Sequence, residues 1–261
     1  MEFEHTLGAK NNVLVLVQKW VQRALDMGVD ALRTEYRSLA RYTLPEMTVD
    51  AFRANQEFGR NRYQDVPCQD QCRVVLKWHR AATDYIHANF VGTPVSPRRF
   101  ILTQGPLEQT VNEFWHMVLQ EEAETIIMLC NCIETGKYKC HPYWPDKTGE
   151  MKQFNGVEVY NVQTRVLSPE ELTVMVCILN VKFAKPDGSM DAREVRHYQW
   201  MDWPDRGVPP LKLTSMPTLV PTPIPIRRKG WLALTYADIL TEENKAKYKK
   251  FVEDYNQATG T

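Results

Sequence analysis

The sequence predicts an α/β (α+β) fold, one twisted mixed β-sheet flanked by helices. Three observations carry that prediction. Short β-branched and aromatic runs alternate with helical periodicity in the first half of the chain. The hexapeptide "TIIMLC" at 125–130 is almost continuously apolar and reads as a strand buried on both faces. Residues 157–200 then hold three long strand-like runs joined by turn formers, which predicts an antiparallel set.

Each element has a local reason. Residues 12–27 place Val13, Val17, Trp20, Val21, Ala24 and Leu25 on one helical face, with Asn12 as a cap and Gly28 as a terminator. A second helix is predicted over 30–41 and a short third over 47–55. The runs "RVVLKW", "DYIHANF" and "RFILTQ" predict strands. The helix "QTVNEFWHMVLQEEAE" buries Phe114, Trp115, Val118 and Leu119, and Thr110 and Glu113 stand at capping-box spacing. "GVEVYNVQTRV", "ELTVMVCILNVKF" and "REVRHYQW" form the antiparallel set, with Asp187-Gly188 as a hairpin signal. Beyond Pro210 the four prolines of "MPTLVPTPIPIRRKG" predict an extended linker. A last helix, "TEENKAKYKKFVEDYNQ", is capped by Thr241, supported by the Glu243–Lys247 pair, and carries a narrow stripe of Tyr248, Phe251, Val252 and Tyr255.

Composition excludes several classes. Lys+Arg and Asp+Glu both number 32 in 261 residues, so bulk charge does not favour nucleic acid. The apolar run Val13 to Val17 is too short for a membrane span, and with no targeting segment a cytoplasmic location is expected. The six cysteines are scattered and read as reduced thiols. Their irregular spacing, Cys68-x3-Cys72 and Cys130-x-Cys132 ahead of Cys140-His141, argues against a zinc site. No metal or cofactor is expected.

The chemistry begins at "HYQWMDWPDRGVPP", 197–210. Pro204 follows Trp203, and Gly207 supplies a permissive hinge, so Asp205 sits on a stiff-hinged loop. An acid on a movable loop suits proton donation to a leaving group. Four further stretches stand in order before it: "GRNRYQDV" (59–66), "DYIHANFVG" (84–92), "FILTQGPLEQTVNEFWHMV" (100–118) and "KYKCHPYWP" (137–145). Together the five resemble the protein tyrosine phosphatase domain, from about Ala31 to Pro209.

The resemblance implies roles residue by residue. Tyr63 and Asp65 match the phosphotyrosine-recognition loop, the ring stacking on the substrate ring and the carboxylate accepting from the substrate backbone. Arg62 and Lys139 match basic positions around the cleft mouth. Asp205 matches the general acid, and Trp203 and Pro204 match the hinge of its loop. Asn89, Gln104, Gly105, Pro106 and Trp115 match scaffold. The implied partners are phosphotyrosine proteins or other signalling proteins.

The other half of the chemistry is missing from the sequence. Aryl phosphate hydrolysis in this family needs a thiolate nucleophile inside a Cys-x5-Arg loop that opens a helix. No cysteine follows Cys177, and nothing in 206–261 reads Cys-x5-Arg. The expected organisation is therefore a helical segment at 1–30, a truncated phosphatase-like domain at 31–209, and a Pro-rich linker plus amphipathic helix at 210–261. The sheet is expected to be incomplete at its C-terminal end. Three functions stay open: an inactive homologue with a binding role, a genuine phosphatase whose active loop is missing from this isoform or gene model, or an interaction module built on the last helix.

Overall fold

The computed structural model describes residues 2–39, 45–93, 96–169, 171–204 and 242–259. The chain forms two compact units. One joins Met1–Leu44 to Met216–Thr261, and the other is Pro45–Ser215.

The first unit pairs α1 (Glu2–Leu39) with α4 (Glu242–Thr259). Gly28 breaks α1 with φ 69° and ψ 173°, a conformation that excludes a side chain, so the two predicted helices are real and meet at the predicted terminator. The first begins earlier than expected. Its backbone is helical from Glu2, so Asn12 lies inside the helix and does not cap it. Lys247 Nζ of α4 lies 2.7 Å from Asp26 of α1, an exposed ion pair, while the side chain of Glu243, its predicted partner, lies outside the described residues. Tyr248, Phe251, Val252 and Tyr255 are half-buried.

The second unit holds α2 (Asp50–Ala54), the strands and α3 (Val111–Gln120). Strands β1 (Arg73–Val75), β2 (Tyr85–Thr93) and β3 (Ser96–Thr103) form an antiparallel sheet in the order β1-β2-β3. The larger sheet comprises β4 (Thr125–Met128), β7 (Met151–Phe154), β8 (Val157–Ser168), β9 (Glu171–Ala184) and β10 (Met190–Trp200), in the order β4-β10-β9-β8-β7. Among the described residues only β4 and β10 pair in parallel, with Gln199 opposite Met128, so the sheet is mixed as predicted. A two-stranded hairpin, β5 (Ile133–Glu134) and β6 (Lys137–Tyr138), leaves the end of β4.

The hairpin at Asp187-Gly188 forms, but with a three-residue loop. Gly188 N–H donates to Lys185 O at 2.9 Å, and Lys185 N–H to Ser189 O at 2.8 Å, which fits Lys-Pro-Asp-Gly. A second hairpin, β7–β8, turns on Asn155-Gly156, with Phe154 opposite Val157. Strand β9 is the spine of the core: Val174, Val176, Leu179 and Val181 are fully buried. The same core takes in α3, whose Phe114, Trp115, Val118 and Leu119 are buried as predicted. Trp115 Nε1 donates to Tyr143 O at 2.8 Å, satisfying the one polar atom of the largest buried side chain. Arg193 of β10 donates to Leu119 O at 3.0 Å and so satisfies a carbonyl of the helix's last turn.

Two expectations fail for physical reasons. Strand β4 is not buried on both faces: Ile127 is 43% exposed and Leu129 47%. One face packs on the core through Met128, the other leaves Ile127 exposed, and Leu129 just beyond the strand lines the cavity described below. Nor does Glu113 complete a capping box. It ion-pairs with Arg60 at 3.0 Å, and Thr110 Oγ1 accepts instead from Leu107 N–H at 2.9 Å.

His197 on β10 is fully buried. Its Nε2 lies 2.7 Å from the Tyr143 hydroxyl, and its ring stacks on Trp144 at 4.5 Å. Burial disfavours the imidazolium and lowers its pKa from 6.5 to about 3. The neutral ring therefore stabilises the fold above pH 6.5, and that contribution is lost as pH falls toward 3. Urea unfolding at pH 5 is expected to show about 2 kcal/mol less stability than at neutral pH from this group. His197→Gln, which cannot titrate, should lose that slope; an unchanged slope would contradict the assignment.

Candidate functional site

The site is built on the loop from Gly59 to Pro67, and Gln104 at the end of β3 fixes it. Gln104 Oε1 accepts from Arg62 N–H at 2.8 Å, and its Nε2 donates to Arg60 O at 2.9 Å, so one amide brackets the loop. Asn61 donates to Phe52 O at 2.9 Å and accepts from the Tyr85 hydroxyl at 2.6 Å. His87 Nε2 lies 2.8 Å from Val66 O. A short irregular segment thus gains side-chain partners for its backbone, which leaves Tyr63 standing outward between held ends.

Arg62 is the strongest of these ties. Its Nε donates to Gly105 O at 3.0 Å, Nη1 to Tyr138 O at 3.3 Å, and Nη2 to Gly105 O at 2.9 Å and Pro106 O at 2.7 Å. A guanidinium has five N–H donors, and four bonds to carbonyls leave it little to offer an anion. Arg62 lines the cavity, but its chemistry there is to join the loop, the approach to α3 and the β5–β6 hairpin.

The cavity measures about 930 Å3. Arg62, Tyr63, Gln104 and Gly105 line one side, and Leu129, Cys130, Glu134, Lys139, Trp203 and Pro204 the other. Four of the five predicted site residues are described. Arg62, Tyr63 and Lys139 meet at this cavity, with Tyr63 45% exposed. Asp65 is exposed on the same loop and is not part of the lining. Asp205 lies outside the described residues. Its predicted hinge partners Trp203 and Pro204 are at the cavity wall, and Trp203 packs edge-on against Trp200 at 5.2 Å.

Sequence reasoning missed Cys130, Glu134 and Leu129. The signal was positional. Strands β4 and β10 are parallel neighbours, so their carboxyl ends, Leu129–Cys130 and Trp203–Pro204, open at one place. Ligand crevices in α/β sheets form outside such ends. A thiol therefore faces the cavity, but without an anion cradle. The amide after it, Asn131 N–H, donates to Glu134 Oε1 at 2.9 Å, and the chain continues into a hairpin, not a helix. The Glu134 carboxylate lines the same cavity, and its negative charge opposes anion binding there. Among the described residues, no group of three or more His, Cys, Asp or Glu is arranged to hold a metal ion, and no helix is long and apolar enough to cross a membrane.

Gly105 sets how close the two walls approach. A Cβ there would lie 2.6 Å from Lys139 O and 3.1 Å from Cys140 Cβ. Gly105→Ala is expected to cost about 1–3 kcal/mol in urea unfolding, because backbone on the facing segment must move. Stability equal to the parent would show that the walls are not in contact.

Comparison with known proteins agrees with this geometry. A family model described as protein-tyrosine phosphatase matches residues 57–220. The tyrosine phosphatase-like protein J1 of Microplitis demolitor bracovirus (isolate Webb) is 33% identical over 155 residues, 59% of this chain and 49% of that protein. A Lar-like tyrosine-protein phosphatase of Caenorhabditis elegans is 36% identical over 158 residues, 60% of this chain and 7% of its own length. The catalytic domain of human protein tyrosine phosphatase non-receptor type 18 superposes with a TM-score of 0.57 at 28% identity, covering 78% of this chain and 66% of that one. The chain thus spans about half or less of the curated relatives it matches. With a family match over well more than half of its residues and the fold of a solved family member, the chain belongs to the protein-tyrosine phosphatase family.

Proposed function

We propose that this chain is a protein tyrosine phosphatase homologue without phosphatase turnover, whose cavity serves weak recognition of phosphotyrosine proteins. One observation carries the reading: no cysteine follows Cys177, so the sequence holds no Cys-x5-Arg loop after the acid position Asp205. Without it there is no thiolate positioned to attack phosphorus and no ring of amides for three phosphate oxygens. The described cavity supports the same reading. Of the thiols that line it, Cys130 is followed by an amide already donating to the Glu134 carboxylate, and the Arg62 guanidinium is occupied by carbonyls.

Recognition elements remain. Tyr63 is exposed at the cavity, where its ring can stack on an aryl group, and Lys139 contributes positive charge to the same cavity. Asp65 is exposed on the same loop and matches the position that, in the family, receives the substrate backbone. Solved relatives support the partner class: the type 18 phosphatase has been solved in complex with HER2 phosphopeptides. A cytoplasmic role in signalling is consistent with this reading.

A second reading has its own support. The family match runs through Asp205, and the chain covers only part of its relatives, which fits a true phosphatase whose active loop is encoded by another form of the gene. Transcripts carrying an in-frame His-Cys-x5-Arg after the codon for Pro209 would establish that reading for the locus.

Two measurements test the primary proposal. Incubating the purified chain with an aryl phosphate should give no hydrolysis above the buffer rate; turnover that disappears in Asp205→Ala would overturn the proposal. Titration with a phosphotyrosine peptide should give a Kd weaker than about 1 μM, because a lysine alone does not surround a dianion. Tighter binding would refute the claim that the anion cradle is absent.

A further inference from the structure

Helix α1 leaves part of its apolar stripe uncovered. Gly28 divides it into two arms, and Arg23 of the first arm pairs with Glu35 of the second at 2.8 Å. On the second arm Leu32, Tyr36 and Leu39 recur at i, i+4 and i+7, the spacing of a face that is normally buried. Leu32 is half-buried, but Tyr36 is 73% exposed and Leu39 62%. On the first arm periodicity groups Trp20 with Val21, Ala24 and Leu25. Those three are half-buried, and Trp20 is 68% exposed. One exposed apolar side chain needs no explanation; three at pattern positions of one helix form a surface that lacks its cover.

The charges left over beside that surface have one sign. Every acid between Val15 and Leu39 is already paired: Asp26 with Lys247 at 2.7 Å, Asp30 with Arg33 at 3.7 Å and Glu35 with Arg23 at 2.8 Å. Lys19 and Arg37 are exposed and have no acidic partner among the described residues. Each adjoins an exposed aromatic, Lys19 next to Trp20 and Arg37 next to Tyr36. Trp and Tyr beside cations are the chemistry of a helix that lies in the headgroup layer of an acidic bilayer.

We propose that α1 docks on acidic phospholipid surfaces and lies in their plane. Trp20, Tyr36 and Leu39 enter the boundary between headgroups and acyl chains, and Lys19 and Arg37 meet the lipid phosphates and carboxylates. This is not spanning, for which no described helix is long and apolar enough. A second copy of the chain fits the same surface less well. A two-fold contact sets Lys19 and Arg37 of both copies in one interface, and no acid of this stretch is left to answer them. The proposal does not rest on phosphotyrosine binding and involves no ligand in the cavity.

Co-sedimentation of the full chain with lipid vesicles tests it. Vesicles of phosphatidylcholine with phosphatidylserine should bind at least about tenfold more chain than phosphatidylcholine alone. Salt at about 1 M, where the Debye length falls to roughly 3 Å, should remove that difference. Trp20→Ala should weaken binding to the acidic vesicles about tenfold, because less apolar area enters the lipid. Leu39→Ser on the other arm should weaken it as well, and Lys19→Glu with Arg37→Glu should abolish the preference for acidic lipid. All four positions are exposed, so the variants should keep the parent's circular dichroism. Equal binding to neutral and acidic vesicles, no binding to either, or binding that neither Trp20→Ala nor Leu39→Ser weakens would overturn the proposal. Dimers in sedimentation velocity that Trp20→Ala dissolves, with no vesicle binding, would name a second copy as the occupant and overturn it too.

Discussion

Arg62 donates to the carbonyls of Gly105, Pro106 and Tyr138, and through them one guanidinium joins three segments far apart in sequence. The loop bearing Tyr63, the approach to α3 and the β5–β6 hairpin meet at that point. Gln104 reinforces it with an amide that both accepts from and donates to the loop backbone. Hydrogen bonds to a charged donor are stronger than neutral ones, and here they satisfy carbonyls that belong to no sheet or helix. The cavity keeps its walls because of this clamp. The same bonds occupy the cation that would otherwise face an anion, so shape and charge at the site are set by one side chain.

Much of the fold was legible in the sequence. The terminator at Gly28, the buried face of α3, and the antiparallel run from β8 to β10 follow from periodicity and turn chemistry. The hairpin at Asn155-Gly156 carried an equally plain signal that went unread. What could not be read was tertiary choice. Glu113 had the spacing of a helix cap, but a distant Arg60 offered a better partner in a nearly dry setting. The apolar run of β4 was read as doubly buried, because apolarity does not say whether a face meets core or cavity.

The site was legible in part, and for a reason particular to it. Tyr63, Arg62 and Lys139 come from motifs that place residue types at fixed spacing, and they do meet. That Arg62 would spend its donors on backbone was not visible, since its acceptors are carbonyls that every residue carries. Cys130 and Glu134 escaped because their place depends on β4 and β10 being parallel neighbours, a pairing across some 70 residues of sequence. Two cysteines show the same logic: Cys132 and Cys140 look scattered until a two-stranded hairpin brings the Cys140 N–H to 3.3 Å from Cys132 O.

If the clamp is what holds the site, its removal must be felt in the fold and not only in binding. Arg62→Lys keeps the charge but replaces a planar fork with a single ammonium, which cannot reach the three carbonyls in the same geometry. Urea unfolding of that variant should show a loss of roughly 2 kcal/mol or more. A variant as stable as the parent would mean that Arg62 does not hold the three segments together.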